Sequence, residues 1–284
     1  MFDFSNRTLL LTGAAGGIGR GIAKEFHAGG ANVMLADRDE DGVAQAAREI
    51  DAAGARTDTV QLEAGDPTDV ERVVARCLKR FGRIDYLVTA AAIFEDDPFE
   101  TMTDEQWRRT IGADLDSVFY ACRRVVPVMR EGGAIVNLAS EAAHTGGSPM
   151  HAHYGAAKAG VLAFTKTIAR ELAPRIRVNA ISPGTIDTPM VSRWLEQRPG
   201  YVDTIPMRRL GTPRDVAQAA ATIERNARAQ ARLIEELLDV SRITSGNLHL
   251  DIQPVSIAAI FDTVVSSLKP AADARSIALR HFAG

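Results

Sequence analysis

The chain has 284 residues, 46% of them hydrophobic and 24% charged, with a formal net charge of −3. That length holds one large α/β domain, or one domain and an appendage. The near-neutral balance provides no basic surface for nucleic acid or for an anionic membrane. Two cysteines, Cys77 and Cys122, form no metal-ligand cluster and read as buried thiols of a reducing compartment. The opening MFDFSNRTLLL lacks the basic region, apolar core and cleavage site of a leader. No apolar run approaches the roughly 20 residues that cross a bilayer. A soluble cytoplasmic protein with no metal site is expected.

Taken in chain order, short apolar runs alternate with amphipathic stretches. Strands are predicted at Thr8–Leu11, Asn32–Ala36, Thr57–Leu62, Asp85–Thr89, Ala134–Ala139 and Arg177–Ile181. Helices are predicted to start near Gly17, Glu40, Pro67, Thr103 and Tyr154. Such alternation, with β-branched strands, predicts an α/β fold: a doubly wound parallel sheet of the Rossmann type, covered on both faces. Near Ala217 the strands stop. A long helix is predicted to about Arg242, with Val216, Ala220, Ile223, Ala227, Ile234 and Leu238 on one apolar seam. Glu224–Arg228 and Arg232–Glu236 are i,i+4 pairs of opposite charge. Ser245-Gly246-Asn247 breaks the helix, and a strand-like LHLDIQ, a helical stretch after Pro254 and a strand-like SIALRHF make a small α+β tail.

The first strand runs into Thr12-Gly13-Ala14-Ala15-Gly16-Gly17-Ile18-Gly19. Glycines here let the backbone turn tightly and approach a pyrophosphate, and the following helix aims unpaired N–H groups at it. The position between an apolar strand and a helix, at the start of a βαβ unit, gives the motif its weight. Gly13, Ala15, Gly17, Ile18 and Gly19 are therefore candidate cofactor contacts. Asp37 ends the second strand, 18 residues after Gly19. A carboxylate there accepts from the ribose hydroxyls and repels a 2′-phosphate, which favours NAD over NADP; the neighbouring Arg38 softens that preference. Asp66 has two open readings, a contact to the adenine amino group or the N-cap of a helix beginning at Pro67.

Tyr154 and Lys158 lie four apart, on one face of a predicted helix. A free phenol is a poor base at neutral pH, and a neighbouring ammonium stabilises its phenolate. Such a pair exchanges a proton with a substrate hydroxyl while hydride moves to or from nicotinamide. Ser140 follows the fifth strand at the ligand side of the sheet, where its hydroxyl can hold a substrate oxygen. His144, His151 and His153 fall in the intervening loop and read as solvated loop histidines, with contact of one of them to substrate as the alternative.

Together these residues resemble the short-chain dehydrogenase/reductase family over about residues 5–218. The glycine motif, Asp37, Ser140, Tyr154, Lys158 and Asn179-Ala-Ile-Ser-Pro-Gly-Thr-Ile-Asp-Thr188 fall in family order. The resemblance implies that Pro183 and Gly184 shape the turn beneath nicotinamide, that Ile186 and Thr188 contact its carboxamide, and that Pro189–Arg209, with Trp194 and Met207, forms a substrate lid. It implies a small alcohol or ketone substrate and a homo-oligomer. Two departures stand out. The usual Asn-Asn-Ala-Gly reads Thr89-Ala90-Ala91-Ala92, which removes an amide that braces the sheet and leaves Ala91 beside the cofactor. The usual catalytic asparagine is Asp114, which can hold the same proton-relay water or draw Lys158 away from Tyr154.

Residues 221–282 resemble a different family, the sensor histidine kinases. Thr222–Asn247 is similar to their second dimerisation helix, and HLDIQPVSI with AADARSIALR is similar to the opening of their ATP-binding domain. No histidine sits in a phospho-acceptor box, and the asparagine and glycine boxes do not follow, so no phosphotransfer is expected. A domain of residues 1–218 joined to a fragment of 219–284, with the junction at Ala219–Ala221, is the organisation implied. The dehydrogenase's usual last strand is then missing, and Arg177–Ile181 becomes a sheet edge. The tail helix offers a dimer seam through Ile223, Ile234 and Leu238, or folds back on its own domain. The function expected is interconversion of a secondary alcohol and a ketone with NAD(H). The alternatives are an impaired dinucleotide-binding protein and an interaction module using the kinase-like helix.

Overall fold

The computed structural model describes residues 3–223. They belong to a compact unit running Met1–Gln230. The expectations for the tail, including Ala227, Ile234, Leu238 and the two tail strands, lie outside the described residues.

Among the described residues six strands form one parallel sheet: β1 (Thr8–Thr12), β2 (Asn32–Asp37), β3 (Thr57–Gln61), β4 (Tyr86–Thr89), β5 (Gly133–Leu138) and β6 (Ile176–Ile181). Their order is β3-β2-β1-β4-β5-β6. Every residue of β1, β4 and β5 is buried, as a sheet covered on both faces requires. Successive side chains of β1 leave on opposite faces: Leu9 and Leu11 join one core, Leu10 the other. The first core packs against α1 (Gly17–Ala28) and α2 (Glu40–Ile50); the second packs against α3 (Pro67–Phe81), α5 (Ser117–Val125) and α7 (Ala152–Leu172). The strand order reverses between β1 and β4, and this switch point opens a crevice at the carboxyl ends of the strands. The register aligns Thr12 with both Ala36 and Thr89, so the glycine turn emerges between Asp37 and Ala90.

The structure bears on three points of the sequence reading. The brace lost with the family's asparagine is replaced from the next strand. Buried Asn137 on β5 accepts from Thr89 Oγ1 at 2.9 Å and donates to Thr165 Oγ1 on α7 at 2.9 Å. The expected junction at Ala219–Ala221 falls inside a continuous helical run, 213–223. Its Val216, Ala217, Ala220 and Ala221 are buried in the first core, and Ile223 packs onto that same core rather than facing outwards as a seam. Asp66 is the N-cap of α3: its carboxylate accepts from Thr68 N at 2.8 Å ahead of Pro67.

Cys77 and Cys122 are buried and unpaired, and burial pushes both thiols up to about 12, which keeps them protonated. Among the described residues, no helix is long and apolar enough to cross a membrane.

Candidate active site

The glycine turn is set by backbone crowding. Gly13 has φ +71, and a Cβ there would lie 2.4 Å from the Ala90 backbone. A Cβ on Gly19 would lie 2.1 Å from Gly13 O and 2.8 Å from Ala14 Cα. The turn is tied to β2 on both sides: Ala14 N donates to Ala36 O, and Ala15 N donates to Asp37 Oδ2 at 2.9 Å. Asp37 Oδ1 accepts from Asp39 N at 3.1 Å. Each carboxylate oxygen keeps a lone pair for a further donor.

Gly13, Ala15, Asp37, Arg38 and Ala91 line one groove of about 270 Å³. Glu63, just past β3, lines it as well, where Asp66 does not. The signal for Glu63 was the end of the strand: β3 stops at Gln61, and the first residues beyond it face the groove. A second cleft of about 370 Å³ runs from the same glycine turn, with Gly17, Ile18 and Gly19, to Ser140, Tyr154, Lys158, Pro183, Gly184, Ile186 and Thr188. Gly17 presses against Thr188, whose Cγ2 would be 2.6 Å from a Cβ there. A glycine cradle at a helix N-terminus, a carboxylate at one end and a phenol and ammonium at the other fit an extended dinucleotide.

The structure brings the four chemical residues together from three segments. Tyr154 and Lys158 stand on α7, Ser140 follows β5, and Asp114 sits in a π-helical turn, Gly112–Asp116, between α4 (Asp104–Ile111) and α5. Such turns put an extra residue into a helix and re-aim a side chain. Lys158 is buried; its Nζ lies 5.5 Å from the Tyr154 ring centroid, 3.4 Å from Leu138 O and 3.5 Å from Asp114 Oδ2. Asp114 Oδ1 accepts from Ile93 N at 2.8 Å, while Oδ2 is buried without a hydrogen bond. Burial pushes the Asp114 carboxyl above the usual carboxylate range; Lys158 and the Ile93 N–H oppose that shift without cancelling it.

Ser140 and Tyr154 also face a third cavity, of about 280 Å³, whose walls include Phe94, Glu141, His151 and Trp194. Trp194 comes from α8 (Pro189–Glu196) and packs edge-on against Tyr201 of α9 (Tyr201–Thr204), with ring centroids 4.8 Å apart. The expected lid segment therefore does wall this cavity, although Met207 within it is 73% exposed.

The loop histidines correct the sequence expectation. Only His144 is exposed. His151 stacks on Phe94 with ring centroids 4.0 Å apart, and its Nε2 lies 3.2 Å from Asp96 Oδ1. Burial lowers its affinity for a proton, against the pull of Pro149 O and Asp96. His153 is fully buried against Asp97. Both partners come from the loop after β4, and no local pattern joins that loop to α7. Phe94, Glu63 and Glu141 are among the cavity residues that sequence reasoning passed over, and His151 lines the cavity as the alternative reading of the loop histidines allowed.

A parallel sheet with a glycine-turn crevice and a Tyr–Lys pair on its carboxyl side defines a dinucleotide-dependent oxidoreductase. The chain matches the family model described as enoyl-(acyl carrier protein) reductase over residues 13–230. It belongs to the short-chain dehydrogenase/reductase family. It is 38% identical over 216 residues to the 3-oxoacyl-[acyl-carrier-protein] reductase FabG of Thermotoga maritima, covering 75% of this chain and 87% of that one. A solved short-chain dehydrogenase/reductase from Brucella melitensis, described as a glucose/ribitol dehydrogenase, is 46% identical, with a TM-score of 0.76 over 78% of this chain and 91% of that one. A 3-ketoacyl-(acyl-carrier-protein) reductase from Brucella melitensis, solved with NADH, is 34% identical, with a TM-score of 0.70 over 77% of this chain and 90% of that one.

Proposed function

We propose that the protein interconverts a secondary alcohol and a ketone with NAD(H). The observation that carries this reading is the meeting of Ser140 and Tyr154 on the wall shared by the dinucleotide cleft and the 280 Å³ cavity, with Lys158 lining the cleft beside the Tyr154 ring. When bound in that cleft, the dinucleotide supplies or accepts the hydride. The chain's own residues handle the proton. In the reducing direction the Tyr154 hydroxyl gives its proton to the substrate oxygen, and Ser140 Oγ donates a hydrogen bond to that same oxygen. Lys158 holds its ammonium beside the ring, so the phenolate left behind is stabilised by a charge that burial shields from solvent. Pro183, Gly184, Ile186 and Thr188 border the reacting end, and the lid residue Trp194 limits access of water.

Asp114 takes the part of the relay residue. Its orphaned Oδ2 beside Lys158 is a buried acceptor that a relay water would satisfy. The raised affinity for a proton sets the pH dependence. Above its pKa the carboxylate balances Lys158; as pH falls through that pKa it takes up a proton and the balance is lost. Wild-type kcat/KM is expected to fall on the acid side from a pH above the ordinary carboxylate value of about 3.9. Asp114→Asn is expected to lack that limb. A large gain in turnover at neutral pH for Asp114→Asn would show instead that the aspartate is a defect.

Asp37 supports the choice of NAD. Two backbone N–H groups hold its carboxylate at the groove wall, where a 2′-phosphate would meet a like charge. Steady-state assays with a panel of hydroxy and keto compounds are expected to favour NADH over NADPH by about tenfold or more in kcat/KM, one unit of differential interaction. Asp37→Ala is expected to narrow that ratio. A wild-type preference for NADPH would make Arg38, not Asp37, the deciding residue. The kinase-like reading rests on the sequence of 221–282 and adds no step to this chemistry.

A further inference from the structure

We infer that His153, held by Asp97, is a positioning residue that fixes the catalytic tyrosine at the mouth of α7. The inference rests on the assignment of Tyr154 as the acid/base above.

The reason begins with the helix end. The first N–H groups of any helix lack partners inside it, and a side chain at the N-cap ordinarily takes one of them. Here the N-cap is His151, which makes no such bond. The N–H of Tyr154, in the first turn, donates instead to Nδ1 of His153 at 3.0 Å. A ring nitrogen that accepts carries no proton, so the imidazole is neutral and its proton sits on Nε2. Nε2 faces Asp97 Oδ2 at 3.0 Å, and the pair is buried, with side-chain exposures of 0% and 7%. The residue that carries the catalytic phenol thus has its backbone tied to a ring that is itself anchored.

The anchor reaches a second part of the site. Asp97 Oδ1 accepts from Gln106 Nε2, and Gln106 forms the capping box of α4 with Thr103. The Asp97 N–H donates to Met150 O at 3.0 Å, which laces the same loop to the chain just before α7. α4 leads directly into the π-helical turn that carries Asp114. Asp97 is therefore a strut between the helix of Tyr154 and Lys158 and the helix that presents Asp114 to Lys158. Neither His153 nor Asp97 lines the cleft or the 280 Å³ cavity, so their effect on the reaction runs through geometry.

The test uses the full chain with His153→Ala, His153→Asn and His153→Gln. Asparagine places Oδ1 where the Nδ1 acceptor stands and keeps the bond to Tyr154 N–H. Glutamine reaches towards Asp97 and leaves that N–H unmet. Steady-state kcat and KM, NADH affinity by fluorescence titration, and the solvent deuterium isotope effect are measured. Ionisation of the tyrosine is followed by near-ultraviolet absorbance against Tyr154→Phe. His153→Ala is expected to lower kcat by about tenfold to a hundredfold, the scale of a small misplacement, with NADH affinity held within about twofold. Its solvent isotope effect rises, its Tyr154 ionisation profile moves, and Asn restores turnover that Gln does not. Unchanged kcat and isotope effect in His153→Ala, or equal rates for Asn and Gln, overturn the inference. Should His153→Ala not fold, the Asn–Gln pair decides alone. A wild type that binds NADH but turns over nothing on the panel defeats the alcohol–ketone reading. The shift in Tyr154 ionisation still decides the positioning role in that case: a move supports it, and no move overturns it.

Discussion

Tyr154→Phe is expected to cut kcat by about a thousandfold, within the range general acid–base catalysis contributes, while NADH binds as before. The substitution removes one oxygen and leaves the ring. That ring sits edge-on to Phe94 at 5.0 Å and beside Lys158 Nζ at 5.5 Å, so the cavity wall and the burial of the lysine persist. What disappears is, among the described residues, the only phenol on the wall common to the dinucleotide cleft and the substrate cavity. Single-turnover hydride transfer, followed by the absorbance of the reduced cofactor, measures the loss. A variant that retains more than about a tenth of wild-type kcat would remove Tyr154 from the acid/base role, because an interaction worth under 1.4 kcal/mol is too small for that task.

Gly19→Ala is expected to weaken NADH binding by about a hundredfold, close to 2.7 kcal/mol. The added methyl has nowhere to go. It would sit 2.1 Å from Gly13 O and 2.8 Å from Ala14 Cα, and both are backbone atoms of the turn itself. To relieve the clash, the turn must open away from the N-terminus of α1, taking the N–H groups out of line with a bound phosphate. Gly16→Ala is the matched control: its Cβ would meet only Gly13 O, at 3.4 Å, an ordinary contact. Fluorescence titration with NADH compares the two. If Gly19→Ala binds like Gly16→Ala, the cradle does not depend on close packing between Gly13 and Gly19.

Much of the fold was legible because its signals are local. β1, β2, β4 and β5 are the largely apolar, buried runs that a covered parallel sheet requires, and each helix predicted in the dehydrogenase region starts within two residues of its expected position. The glycine turn and the Tyr154–Lys158 spacing were readable for the same reason: strand–turn–helix geometry and a four-residue helical repeat need no distant partner. The Asp66 assignment shows where this stops. Two carboxylates, Glu63 and Asp66, stand close together in sequence, and only the end of β3 and the capping of α3 decide which one faces the groove.

The amino-acid sequence by itself determined the layered sheet, the dinucleotide turn and the identity of the reacting pair, since each is written within one element or one strand–turn–helix unit. Tertiary structure alone decided the surroundings of that pair. It buried His151 and His153, which read as solvent-facing, by bringing Asp96 and Asp97 to them from a loop 56 residues away in the case of His153 and Asp97. It supplied the sheet brace from Asn137 in place of the missing amide, and it set Asp114 against Lys158 with both side chains buried. The physical reason is common to all three. A polar side chain's role depends on whether a partner meets it when solvent is removed, and in each case that partner comes from a distant segment that only the packed fold brings near.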